Sequence, residues 1–108
     1  MQLKKRFSDA DLEKIIETAT FYLCACPAQV AVQLRQLREL IRYQKQCRQD
    51  PKNDTSVHLI IEQTSIQAHQ LMEECMDQIL TIEGWDRQTL VMPEGLRHRR
   101  DEQILEDD

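Results

Sequence analysis

Two thiols one residue apart, Cys24 and Cys26, run directly into Pro27. Proline is favoured in the first turn of a helix, where its missing N–H is one of the donors left unpaired anyway. The stretch Cys24-Ala25-Cys26-Pro27 therefore reads as a junction between two helices, with Cys26 at or next to the N-cap of the second. Free N–H groups and the helix dipole favour a thiolate there. Thiolates so placed bind metals or react with oxidants.

Which other ligands can reach that end is a question of helix length. In an up-down-up arrangement, Cys47 lies about 30 Å down the second helix, with His58 near it. Cys75, far along the third helix, returns to the Cys24–Cys26 end. His69 falls about 9 Å below Cys75 along the axis. The chain can thus gather three thiols, Cys24, Cys26 and Cys75. A structural zinc site or an iron–sulfur cluster usually takes four protein ligands. His98 is the best fourth, with Glu74, Asp77 or a second chain as other sources. Against this, free cysteine commonly serves as a small apolar core residue. The expectation is no cofactor, with zinc or an iron–sulfur cluster as the alternative.

Other chemistry is thinner. Arg35, Arg38, Arg42 and Lys45 form a basic stripe able to track phosphates. No aromatic residues interleave it for base stacking, and carboxylates on neighbouring helices offer simple ion pairing. Glu73-Glu74 is not the Glu-x-x-His pair of a di-iron bundle. No Ser/His/Asp arrangement, glycine-rich phosphate loop or His-Glu-x-x-His motif occurs. An enzyme is not expected.

The elements that position these residues are helical. The 108 residues include only two glycines and three prolines, so long helices meet few breakers. Ser8 followed by Asp11 resembles a helix start signal, and the first helix should run from Ser8 or Asp9 to near Cys24. Its apolar stripe is Leu12, Ile15, Ile16, Ala19 and Leu23. The second helix should run from Pro27 to about Gln49, turning its Val30, Leu34, Leu37 and Ile41 inward. Asp50-Pro51-Lys52-Asn53-Asp54 is a turn. The third helix, capped by Asp54 or Thr55, should reach Ile82. Val57, Ile61, Thr64, Ala68, Leu71, Cys75 and Ile82 lie mainly three and four residues apart, close to a heptad seam. Trp85, Leu90, Val91 and Met92 should fold back over the bundle end, with Asp86 capping a turn.

The fold expected is an all-α antiparallel three-helix bundle with a long third helix. Residues 1–92 make the bundle domain, and residues 93–108 a charged tail, either marginal helix or disordered. A net charge of −5 gives no reason to expect nucleic acid or an anionic membrane. The charged N-terminus leads into no apolar signal region, and no run approaches the ~20 residues that span a bilayer. A cytoplasmic location follows, with reduced thiols.

Three readings of function compete. The first is a non-catalytic protein–protein interaction or adaptor module, self-associating as a homodimer through the third helix. The second is a thiol-based metal or redox sensor on Cys24, Cys26 and Cys75. The third is a nucleic-acid-binding module on the basic stripe.

Overall fold

The computed structural model describes residues 2–21 and 25–93, and these form three helices and no strand. They are α1 (Asp9–Phe21), α2 (Cys26–Arg48) and α3 (Thr55–Glu83). The architecture is the all-α antiparallel bundle expected, and α3 is the longest element.

Each boundary has a local cause. At the start of α1, the Asp11 amide donates to Ser8 Oγ at 3.0 Å, and the Ser8 amide donates to Asp11 Oδ2 at 2.9 Å. This reciprocal capping box satisfies two donors that the first turn leaves free. At α2, Ala25 is the N-cap and makes no side-chain cap bond, while Pro27 occupies the first turn. Asp54 caps α3 by accepting from the Ser56 amide at 2.9 Å. Gly84 ends α3 at φ 77°, a left-handed conformation in which a Cβ is costly. The Gly84 amide donates to Thr81 O and the Trp85 amide to Leu80 O, closing the helix in a Schellman motif.

Beyond α3 the chain turns back tightly. Asp86 accepts from the amides of Gln88 and Thr89, both at 2.9 Å. Trp85, Leu90 and Met92 are buried over the bundle end, as expected, whereas Val91 points to solvent. The core at this end joins Leu12, Ile15 and Ala19 of α1 to Ala31 and Leu34 of α2 and Met76 and Leu80 of α3. Phe7 also lies in this core, with the Arg87 guanidinium 5.3 Å above its ring.

The phase of α3 differs from the expected seam by one residue. The row turned inward is Glu62, Ser65, His69, Glu73, Met76 and Leu80. Val57, Leu71 and Ile82, part of the expected seam, are exposed. The reason is chemical. Three members of the true seam can ionise, and α2 supplies partners for them, so apolar periodicity alone selects the adjacent row.

The charged tail assigned to residues 93–108 lies outside the described residues, apart from its first residue, Pro93. No helix among the described residues is long and apolar enough to cross a membrane.

Candidate interaction surface

The middle of the bundle is held by a buried polar network. Arg38 of α2 is 4% exposed, Glu73 of α3 is 2% and His69 of α3 is 0%. The Arg38 guanidinium spreads its donors over three segments. Nε donates to His69 Nε2 at 3.0 Å, Nη1 to Asp9 Oδ1 at 2.6 Å, and Nη2 to the Phe7 carbonyl at 2.6 Å. Nη2 also lies 3.3 Å from Glu73 Oε2. That carboxylate oxygen accepts from the amides of Arg6 and Phe7 at 2.8 and 3.1 Å.

These contacts fix the protonation of His69. Arginine can only donate, so Nε2 of His69 is an acceptor and the neutral ring carries its proton on Nδ1. Nδ1 lies 3.8 Å from Glu73 Oε1, too far for a hydrogen bond, and has no other partner. Burial holds the His69 pKa below its ordinary 6.5; Arg38 and Lys5 push it the same way, and Glu73 opposes them. Asp9, beside Arg38, titrates below its ordinary 3.8.

A second polar pairing lies toward the α2–α3 turn. Arg48 meets the buried Glu62 at 3.0 Å, and His58 Nδ1 is 2.7 Å from Gln44 Oε1. The hairpin seam thus becomes more polar away from α1. Neither cluster was read from the sequence. The signal was present: Glu62, His69 and Met76 repeat every seven residues, with Ser65 and Met72 between them, which is itself a heptad row.

The network also sets the register of the hairpin, because Arg38 stands level with His69. Two sides of the α2–α3 seam result. On one side the N-terminal segment lies against α3, its Arg6 and Phe7 amides on Glu73, and α1 docks with Asp9 on Arg38. Ile66, Glu73 and Leu80, which point to that side, are buried. The other side has no such cover. There Ile61, Ala68 and Cys75 are half-buried, while Leu71 is 65% and Ile82 82% exposed. From α2, the half-buried Leu37 and Cys47 lie on the same side with the exposed Gln33 and Leu40, while Gln44 is buried and Val30 packs against the core that includes Leu12, Ile15 and Ala19 of α1.

This open side carries no formal charge on either helix. The charged residues of α2 (Arg35, Arg38, Glu39, Arg42, Lys45 and Arg48) lie toward the seam or the α1 side. From Thr55 to Met72 the only carboxylate of α3 is Glu62, which is buried, and α3 contains no lysine or arginine. In a chain whose residues are 31% charged, this uncharged apolar stretch is the candidate interaction surface.

The residues singled out for metal chemistry fall as follows. Cys26 is exposed at the start of α2, next to the N-cap, and Cys75 is half-buried on α3. The Arg38–His69 register puts Cys75 roughly one to two turns below Cys26 along the bundle. Cys47 lies near the far end of α2, as expected. Cys24 and His98 lie outside the described residues. Among the described residues, no three His, Cys, Asp or Glu side chains are grouped to hold a metal ion.

The basic stripe is divided. Arg38 is consumed internally, and Arg42 lies 3.8 Å from Glu39 on its own helix, leaving Arg35 and Lys45 without a carboxylate ion pair among the described residues. Glu62, Glu73 and Asp77, three of the carboxylates available for pairing, are all in ion pairs. No family model matches this chain, and no curated protein or solved structure matches it either.

Proposed function

We propose that this chain is a non-catalytic helical interaction module that docks a protein partner on the uncharged side of the α2–α3 hairpin. One observation carries the reading: Leu37, Leu40, Ala68 and Leu71 make an apolar centre without formal charge, flanked by the exposed Gln33 and Thr64. An apolar centre with a polar, uncharged rim is the anatomy of a protein interface. The buried ionisable groups support the non-catalytic part, since Arg38 and Glu73 spend their donors and acceptors on each other and on the N-terminal backbone. The reading keeps a cytoplasmic location, where Cys26, Cys47 and Cys75, free thiols among the described residues, would stay reduced.

The test is a pair of substitutions at the centre, Leu37→Glu and Leu71→Glu, each placing a charge on the face. Complexes recovered with the wild-type chain should be lost from both variants while helicity by circular dichroism is retained. Complexes that survive both changes would place the interface elsewhere.

A thiol-sensing role is the second reading, and the exposure of Cys26 at the first turn of α2 favours it. Its test is Cys26→Ser: a sensor loses an oxidant- or metal-dependent change that the interaction module never had.

A further inference from the structure

We infer that the cleft between the N-terminal segment and α3 is a binding site for a small organic phosphate. It is separate from the interaction surface proposed above, which lies on the other side of the α2–α3 seam.

The cleft has a volume of about 690 Å³, within the range of small-molecule sites. Lys4, Lys5 and Arg6 line it from the N-terminal segment, and Gln67, Gln70 and Glu73 from α3. Three consecutive cations at one concave site run against a chain whose net charge is −5. Lys5 is partly spent, lying 3.6 Å from Asp9. The side chains of Lys4 and Arg6 have no ion pair among the described residues.

The backbone holds these cations in place. The amides of Arg6 and Phe7 donate to Glu73 Oε2 at 2.8 and 3.1 Å, and the Phe7 ring is buried in the core. Lys4 and Arg6 thus project from an anchored segment, which lowers the ordering cost of binding. The same bonds neutralise the carboxylate in the cleft. Glu73 Oε2 accepts both amides and lies 3.3 Å from Arg38 Nη2, so its charge is offset within the protein.

The groups left over select a class of anion. A phosphomonoester carries about −1.5 to −2 charges near neutral pH and three acceptor oxygens. Two unpaired cations match it, where a carboxylate would balance only one. Gln67 and Gln70 are three residues apart, share a face of α3, and offer amide groups to the hydroxyls of a polar ligand. The net negative charge of the chain opposes the approach of a nucleic acid or an acidic protein, which favours a compact ligand.

Amide chemical shifts of the whole chain, followed in low salt as inorganic phosphate, glycerol phosphate or glycerol is added, test the site. Both phosphates should shift Lys4, Lys5, Arg6 and the side-chain amides of Gln67 and Gln70, and glycerol should shift none of them. Glycerol phosphate should bind the more tightly, its hydroxyls reaching Gln67 and Gln70. Lys4→Gln and Arg6→Gln should each weaken binding by about 10-fold or more, the worth of a hydrogen bond between charged groups. Both side chains are exposed, so both variants should fold. Lys14→Gln removes an exposed lysine of α1 and should leave the affinity unchanged. No shift with either phosphate at millimolar concentration overturns the inference. Equal weakening by Lys14→Gln does the same, since it would mean diffuse attraction. Tighter binding of inorganic phosphate would overturn an organic ligand, and a phosphoserine peptide that shifts the cleft where glycerol phosphate does not would overturn a small one.

Discussion

Arg38 Nε donates to His69 Nε2 across the α2–α3 seam at 3.0 Å, making a histidine ring the acceptor for a buried cation. The arrangement works only while the ring is neutral. A proton on Nε2 would remove the acceptor and set two cations side by side. The buried carboxylate of Glu73 and the exposed Asp9 offset the charge of Arg38, so the cluster is balanced with His69 uncharged.

Stability should therefore fall in mild acid. The folded-state pKa of His69 lies below 6.5, so the unfolded chain takes the proton first. The His69 contribution is complete above pH 6.5 and is lost progressively as pH drops toward the folded-state value. Urea midpoints at pH 7.5 and 5.5 should differ more for the wild type than for His69→Gln, whose amide oxygen can still accept from Arg38. Equal pH slopes for the two proteins would remove His69 from the account.

Arg38→Met should be among the most damaging single changes. It leaves Glu73 buried with no cation, a loss of about 3–5 kcal/mol by analogy with other broken buried pairs. Glu73→Gln added to it removes the stranded charge yet keeps an oxygen for the Arg6 and Phe7 amides. The double variant should be more stable than Arg38→Met alone, as read by chemical unfolding.

At Gly84 the cost of a side chain is conformational. A Cβ there would meet only Pro93 Cγ, at 3.9 Å, which is ordinary contact. The penalty of Gly84→Ala comes from φ 77° and should be about 1 kcal/mol. Gly84→Asn should lose less, because asparagine tolerates the left-handed region better. Thermal unfolding of the two variants gives the comparison.

Asp54→Ala should cost about 1 kcal/mol by freeing the Ser56 amide, while Asp54→Ser should recover most of it. Hydrogen exchange should locate the loss in the first turn of α3.

The parts of the fold legible in the sequence were those set by local backbone chemistry. Ser8 with Asp11, Pro27, Asp54 and Gly84 act within a few residues of themselves, and the starts of all three helices and the end of α3 are observed within a residue or two of where they point, while the expected end of α1 near Cys24 lies outside the described residues. The phase of α3 was not legible in the same way. Two heptad rows run side by side along it, one largely apolar and exposed or half-buried, the other mixed and buried. Hydrophobicity chooses the first. Only the partner of His69, 31 positions away in sequence, makes the second the inner row. Arg38 shows the same limit, since its spacing groups it with Arg35 and Arg42 while its contacts belong to Asp9, Phe7 and His69.

The amides of Arg6 and Phe7 end on a carboxylate of α3, and the Phe7 carbonyl ends on a guanidinium of α2. This N-terminal segment is thus latched to the deepest charged groups of the bundle. Acidity of the medium and release of the segment ahead of α1 become one variable. As His69 takes up a proton, the latch should loosen before the helices do, and proteases should find the chain ahead of α1 first.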